Sequence, residues 1–119
     1  MKKFFSLATA FVIMSVVASC KKDADSNIAI PGCVQSAVDS ALAQPKGTLY
    51  LQVDAYKYQD KTVYLFYAGC CDRFNPLKDA NCNYLFAPSG GFTGMGDLSH
   101  PNFFSEAVKL STIWKDPRN

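Results

Sequence analysis

An α+β domain, with one N-terminal helix packed on an antiparallel sheet of three or four strands and stapled by disulfides, is predicted by three features of the sequence. Val34, Ala37, Val38, Ala41 and Leu42 recur at helical spacing. Leu49 to Tyr56 and Thr62 to Ala68 alternate apolar and polar residues in the manner of half-buried strands. Cys33, Cys70, Cys71 and Cys82 form an even set, which in an exported chain favours disulfides.

Export is expected from the first residues. Met1-Lys2-Lys3 is a cationic start, Phe4 to Ala18 is an apolar run, and Val17-Ala18-Ser19-Cys20 resembles a bacterial lipobox. The run has 15 residues, short of the about 20 that a membrane-spanning helix needs. The resemblance implies cleavage of a signal peptide at 1–19 and a diacylglyceryl group on Cys20. Residue 21 is Lys rather than Asp, so the inner-membrane retention signal is missing. Lys21 to Asp25 is similar to the charged stretch of surface lipoproteins of Bacteroidota. Residues 20–30 read as the lipidated cysteine and a flexible tether, and 31–119 as a single small globular domain. Without Lys2 and Lys3 the chain has 10 basic and 10 acidic residues, so no basic stripe suggests nucleic acid.

Within the domain, Pro31-Gly32 precedes the helix and Pro45-Lys46-Gly47 stops it. The two strands make a hairpin around Gln59-Asp60, a weak primed-turn pair, so a longer loop is also compatible. A two-residue turn would set Ala55 opposite Tyr64, Val53 opposite Phe66, Leu51 opposite Ala68 and Leu49 opposite Cys70. Cys70 would then share the apolar face that the helix covers, and Cys71 would point away. The pairing expected is Cys33–Cys70 with Cys71–Cys82; a bulge at Gly69 would exchange it for Cys33–Cys71 with Cys70–Cys82, and a vicinal Cys70–Cys71 bridge is the third arrangement. Zinc is disfavoured because no CxxC occurs.

Residues 72–91 are rich in turn formers, with Tyr84-Leu85-Phe86 as a short strand. Asp79-Ala80-Asn81-Cys82-Asn83 opens like a calcium loop, but Tyr84 and Gly90 stand where that loop needs Gly and Glu, so an Asx turn is expected. Gly90, Gly91, Gly94 and Gly96 lie in a run that is not a P-loop, since no GK[ST] follows; it reads as a structural loop over the sheet end, with anion or glycan contact as the alternative. Asn102 to Glu106 reads as a helical turn. Val108, Leu110, Thr112 and Trp114 read as a last strand, with Trp114 supplying much of the core.

The sequence assigns no catalytic residue, metal or cofactor. His100, followed by Pro101, reads as a turn residue, and no GxSxG elbow is present. Asp72 and Asp97 are the one carboxylate pair that could do acid–base work. Tyr50, Tyr56 and Tyr67, with Val63, Gln52 and Asp54 among them, lie opposite Leu51 and Val53, and such amphipathic aromatics suit protein or glycan contact unless the C-terminal half covers them.

Taken together, Val63-Tyr64, Cys70-Cys71-Asp72, Leu77 to Asp79, Ala87 to Asp97 and Ile113-Trp114-Lys115-Asp116 resemble a family of small Bacteroidota lipoprotein domains of unknown function. The likeness spans most of 31–116. The family pattern has a cysteine just before Ala-Pro, where this chain has Phe86. The resemblance implies placement at the outer membrane, facing the periplasm or the cell surface, and this architecture. The expected role is a non-catalytic cell-envelope module that binds a protein or glycan. The alternatives are a small hydrolase or metal-dependent enzyme using Asp72 and Asp97, and a purely structural envelope protein.

Overall fold

The computed structural model describes residues 28–119; the leader, Cys20 and most of the tether lie outside the described residues. The elements are α1 (Gly32–Leu42), β1 (Tyr50–Tyr58), β2 (Lys61–Ala68), β3 (Phe74–Lys78), β4 (Tyr84–Gly90), α2 (Phe103–Glu106) and β5 (Val108–Lys115). The strands form one antiparallel sheet in the order β4-β3-β2-β1-β5, five strands rather than three or four. The additional strand is β3, hidden in the sequence by Pro76, which cannot donate to a ladder. Asn75 supplies a separate link to β2: its side-chain Oδ1 accepts the Ala68 N–H at 2.8 Å where a backbone carbonyl would otherwise serve.

The β1–β2 hairpin turns on Gln59 and Asp60, both with positive φ, so this pair adopts the primed turn without Gly or Asn. Ala55 faces Tyr64 and Val53 faces Phe66, as the two-residue turn requires. Beyond Gln52 the register breaks: Tyr50, not Leu51, faces Ala68. This bulge turns Tyr50 to the opposite face of the sheet from Tyr56.

Each face of the sheet has its own core. Val34 and Val38 of α1 pack on Val53, Ala55, Tyr64 and Phe66, with Tyr50, Leu110, Ile113 and Trp114 beside them. On the other face Phe103 of α2 is buried among Tyr56, Tyr58, Val63, Leu65, Leu77 and Phe86. Strand β5 serves both, because two register shifts interrupt its alternation. They place Leu110, Ile113 and Trp114 under α1 and let Thr112 and Lys109 reach Asp54 on the α2 side. Trp114 is only partly buried at this edge; Phe66 and Phe103 are the largest fully buried side chains.

The C-terminal turn of α1 is closed from far along the chain. Arg118 donates to the carbonyls of Gln44 at 2.8 Å, Ala41 at 3.2 Å and Leu42 at 3.3 Å, and pairs with Asp116 at 2.7 Å. These carbonyls have no partner inside the helix, and a cation there also opposes the negative end of the helix dipole.

The cysteines pair differently from the expected arrangement. Cys33 is joined to Cys82, with Cα atoms 6.0 Å apart, and Cys70 to its neighbour Cys71. The N-terminal turn of α1 sits over the β3–β4 connection, where the Cys33 sulfur also approaches the Ala80 carbonyl. Gly69 meanwhile lies on the backbone of Gly47, leaving Cys70 and Cys71 exposed past the end of β2. Cys33–Cys82 spans 49 residues, so replacing both with Ser is expected to cost about 2 to 3 kcal/mol. The Cys70→Ser, Cys71→Ser variant closes no long loop and should unfold near the parent midpoint. Urea midpoints of the two variants, measured side by side, check this; equal losses would defeat it.

Candidate functional site

The residues nominated from the sequence do not assemble into one site. Tyr56 is buried against Phe103, ring centres 5.4 Å apart, and Tyr67 is half-buried beside it, its phenol pushed far up by burial and then by Tyr56 and Asp54. The C-terminal half therefore covers this face. Tyr50 lies on the α1 side, its ring tilted 56° to that of Phe66 with centres 4.9 Å apart, and the Lys78 ammonium is 4.7 Å from the Phe66 ring centre. Asp72 is exposed in the turn before β3.

Asp97 is a structural acceptor. Its carboxylate takes the Ser99 hydroxyl at 2.6 Å, the N–H groups of Ala87 and Ser99 at 2.9 Å, and the Tyr84 hydroxyl at 3.2 Å. The Ser99 hydroxyl first, then the Ala87 N–H, hold its pKa down at about 2. A group held so low remains a carboxylate at neutral pH and does not donate a proton. Asp97 follows Gly96, whose positive φ and contact with the Ala87 carbonyl leave no room for a side chain. The glycine run thus folds along the outer edge of β4: Asp97 N–H reaches the Ala87 carbonyl at 2.8 Å and Gly96 N–H the Gly90 carbonyl at 3.0 Å.

At the Asp79 turn the expected Asx geometry is present. Asp79 accepts the N–H groups of Asn81 and Asn83 at 2.9 Å and the Asn83 side-chain amide at 3.2 Å. Asn83 N–H bonding chiefly lowers its pKa. Among the described residues no three His, Cys, Asp or Glu side chains gather as a metal-binding group.

The side chains that do converge come from three separate segments. Tyr58, Gln59, Lys61 and Val63 from the β1–β2 hairpin, Tyr84, Leu85 and Phe86 from β4, and His100 line an open cleft of about 330 Å³. A register shift in β4 next to Leu85 allows three consecutive residues to border it. His100 lies flat on Phe86, ring centres 3.8 Å apart and planes 16° apart, and its Nδ1 is 2.8 Å from the Ser99 hydroxyl. Gln59 donates to the Tyr58 hydroxyl at 3.3 Å. Tyr84 is 58% exposed, yet its hydroxyl is held by Asp97. The cleft therefore offers aromatic walls, an amide, an imidazole and the Lys61 ammonium. Asp97 takes part by orienting Tyr84; Tyr50, Tyr56, Tyr67 and Asp72 do not line the cleft.

In the sequence, Tyr84 and Phe86 read as a short strand and His100 as a turn. The signal was the density of aromatics at 84–86 beside an otherwise polar segment, but their partners lie more than twenty residues upstream.

No curated protein and no solved structure matches the chain. The sequence profile of a domain of unknown function, DUF6970, matches residues 39–116, from the last turn of α1 through the last strand to Asp116, a range that holds all five strands, the core around Phe103 and the cleft-lining residues, while Val34 and Val38 of the α1 core precede it. The chain belongs to the DUF6970 family.

Proposed function

We propose that this protein is an outer-membrane lipoprotein of the Bacteroidota type whose domain is a non-catalytic binding module, with the aromatic cleft as its site. The observation that carries the reading is the convergence of Tyr58, Tyr84 and His100 with Gln59 and Lys61 about one open cleft of about 330 Å³. Clefts of this size with apolar walls and a few placed polar groups are the usual form of small-ligand sites. The Asp97 anchor on the Tyr84 hydroxyl fixes the most exposed ring before any ligand arrives, which lowers the ordering cost of binding. A hydrolase built on Asp72 and Asp97 has less support, since Asp97 is occupied by four donors.

Titrating the full chain with a panel of soluble envelope glycans and peptides, followed by amide NMR shifts, tests the site. Ligand-dependent shifts are expected at Tyr58, Tyr84, Leu85 and His100, and Tyr84→Ala should weaken binding at least about tenfold, as loss of an aromatic anchor does. Full affinity in that variant would remove the cleft as the site. No binder in the panel would favour a purely structural role. Placement has its own check: labelled fatty acid should enter the chain in the producing cell and fail to enter Cys20→Ser.

A further inference from the structure

We infer that the cleft takes an acidic oligosaccharide, an inference that rests on the binding reading above. A second depression of about 210 Å³ adjoins the first and shares Tyr58 and His100 with it; Ser99, Asn102 and Glu106 supply its polar groups. Two ring-sized depressions side by side suit consecutive sugar units better than one compact molecule.

Charge divides the groove. Of the two, only the larger depression is lined by a lysine, Lys61, and it has no carboxylate in its lining, whereas the smaller one carries Glu106; His100 borders both and does not distinguish them. An anionic ring is therefore placed at the Lys61 end and a neutral, hydroxyl-rich ring at the other. Lys61 also borders a separate depression with Asp79 and feels that charge, but the Asp79 oxygens already accept from Asn81 and Asn83 and make no ion pair with it. Asp97 is likewise saturated by its four donors.

The presentation of Tyr84 also points to a sugar. Its ring is exposed and its hydroxyl anchored, so an aromatic face is offered, and the C–H face of a pyranose stacks on such a platform. A peptide adding to the edge of β4 would need free backbone groups there. Beside the groove both the N–H and the carbonyl of Ala87 are engaged by Asp97, and the Gly90 carbonyl is engaged by Gly96. Recognition thus goes through rings and side chains rather than through strand pairing.

Calorimetric titration of the full chain with trigalacturonate, neutral galactotriose and triglutamate tests the inference. Trigalacturonate is expected to bind about two- to fivefold more tightly than galactotriose, the scale of one partly exposed ion pair. Lys61→Gln should erase that preference, and Tyr84→Ala should weaken both sugars. Equal affinity for the two sugars, or a preference that survives Lys61→Gln, would overturn the acidic assignment. Tyr84-dependent binding of triglutamate as tight as that of trigalacturonate would overturn the saccharide assignment and leave the binding reading standing. Absence of binding by all three probes would overturn the inference, while the wider panel decides the binding reading separately.

Discussion

Phe103→Ala is expected to remove about 4 kcal/mol of stability, the middle of the range for a truncated core aromatic. Phe103 is 1% exposed and its ring centre lies 5.4 Å from Tyr56, 5.1 Å from Tyr58, 5.6 Å from Phe86 and 5.0 Å from Phe104. Three of the four surrounding rings are held by β1 and β4 and cannot collapse into the space it leaves, so the cavity persists. Helix α2 is only four residues long and has no stability of its own; Phe103 is what fastens it. A domain of this size has roughly 5 to 15 kcal/mol in total, so the variant should melt well over 10 °C lower. Phe103→Leu should recover more than half of the loss. Urea unfolding of both variants provides the check, and a loss under about 1.5 kcal/mol for the alanine would show that this face is not a packed core.

Lys109→Met is the second large effect, expected at about 3 kcal/mol near neutral pH. Asp54 is 1% exposed and accepts Thr112 at 2.7 Å, Gln52 at 2.9 Å and the Lys109 ammonium at 3.1 Å. Burial raises its pKa, but the bonds from Thr112, Gln52 and Lys109 together outweigh it and leave the pKa below the usual carboxylate value. Removing the ammonium leaves a buried carboxylate with two neutral donors and no cation, which is the costly way to break such a pair even though Lys109 itself is half exposed. Because the folded pKa is lowered, the stability that Asp54 contributes is present above its unfolded value near 3.9 and is lost as pH falls through the folded value. In Lys109→Met the carboxyl takes up its proton earlier, so the gap between parent and variant should narrow below about pH 4. Unfolding free energies of both proteins from pH 7 to pH 3 decide it; a gap that stays constant would mean that Lys109 acts by packing alone.

The sequence carried more of the fold than of the site. The 3.6-residue spacing of Val34, Val38 and Ala41 and the alternation through β1 and β2 reflect which side chains leave water, and that is written locally. The bulges were not legible. One flips Tyr50 away from Tyr56, and two in β5 separate Thr112 from Leu110 and Trp114, with which regular alternation would group it, yet a bulge changes one residue's pairing without a compositional mark. Strand β3 was lost for a different reason: Asn75 and Pro76 belong to turns by propensity, and only pairing with Ala68 and Ser89 makes them a strand. Cysteine pairing failed because it followed the assumed continuation of the β1–β2 ladder to Cys70, where the Gly69–Gly47 contact ends it. The cleft was least legible of all. Its aromatics were visible, but Tyr58, Tyr84 and His100 become neighbours only when β3 sets the spacing of β4 from the hairpin.

The closure of α1 by Arg118 fixes an order of events during synthesis. The residues of α1 leave the ribosome early, whereas the guanidinium that satisfies Ala41, Leu42 and Gln44 follows 74 to 77 residues later. Until then Ala41 has only the local Gln44 N–H, and Leu42 and Gln44 lack the guanidinium altogether, while Cys33 has no Cys82 to meet until that residue has also emerged. The nascent chain is thus obliged to carry its first helix as an unfinished element with a free thiol, and vectorial folding cannot complete it.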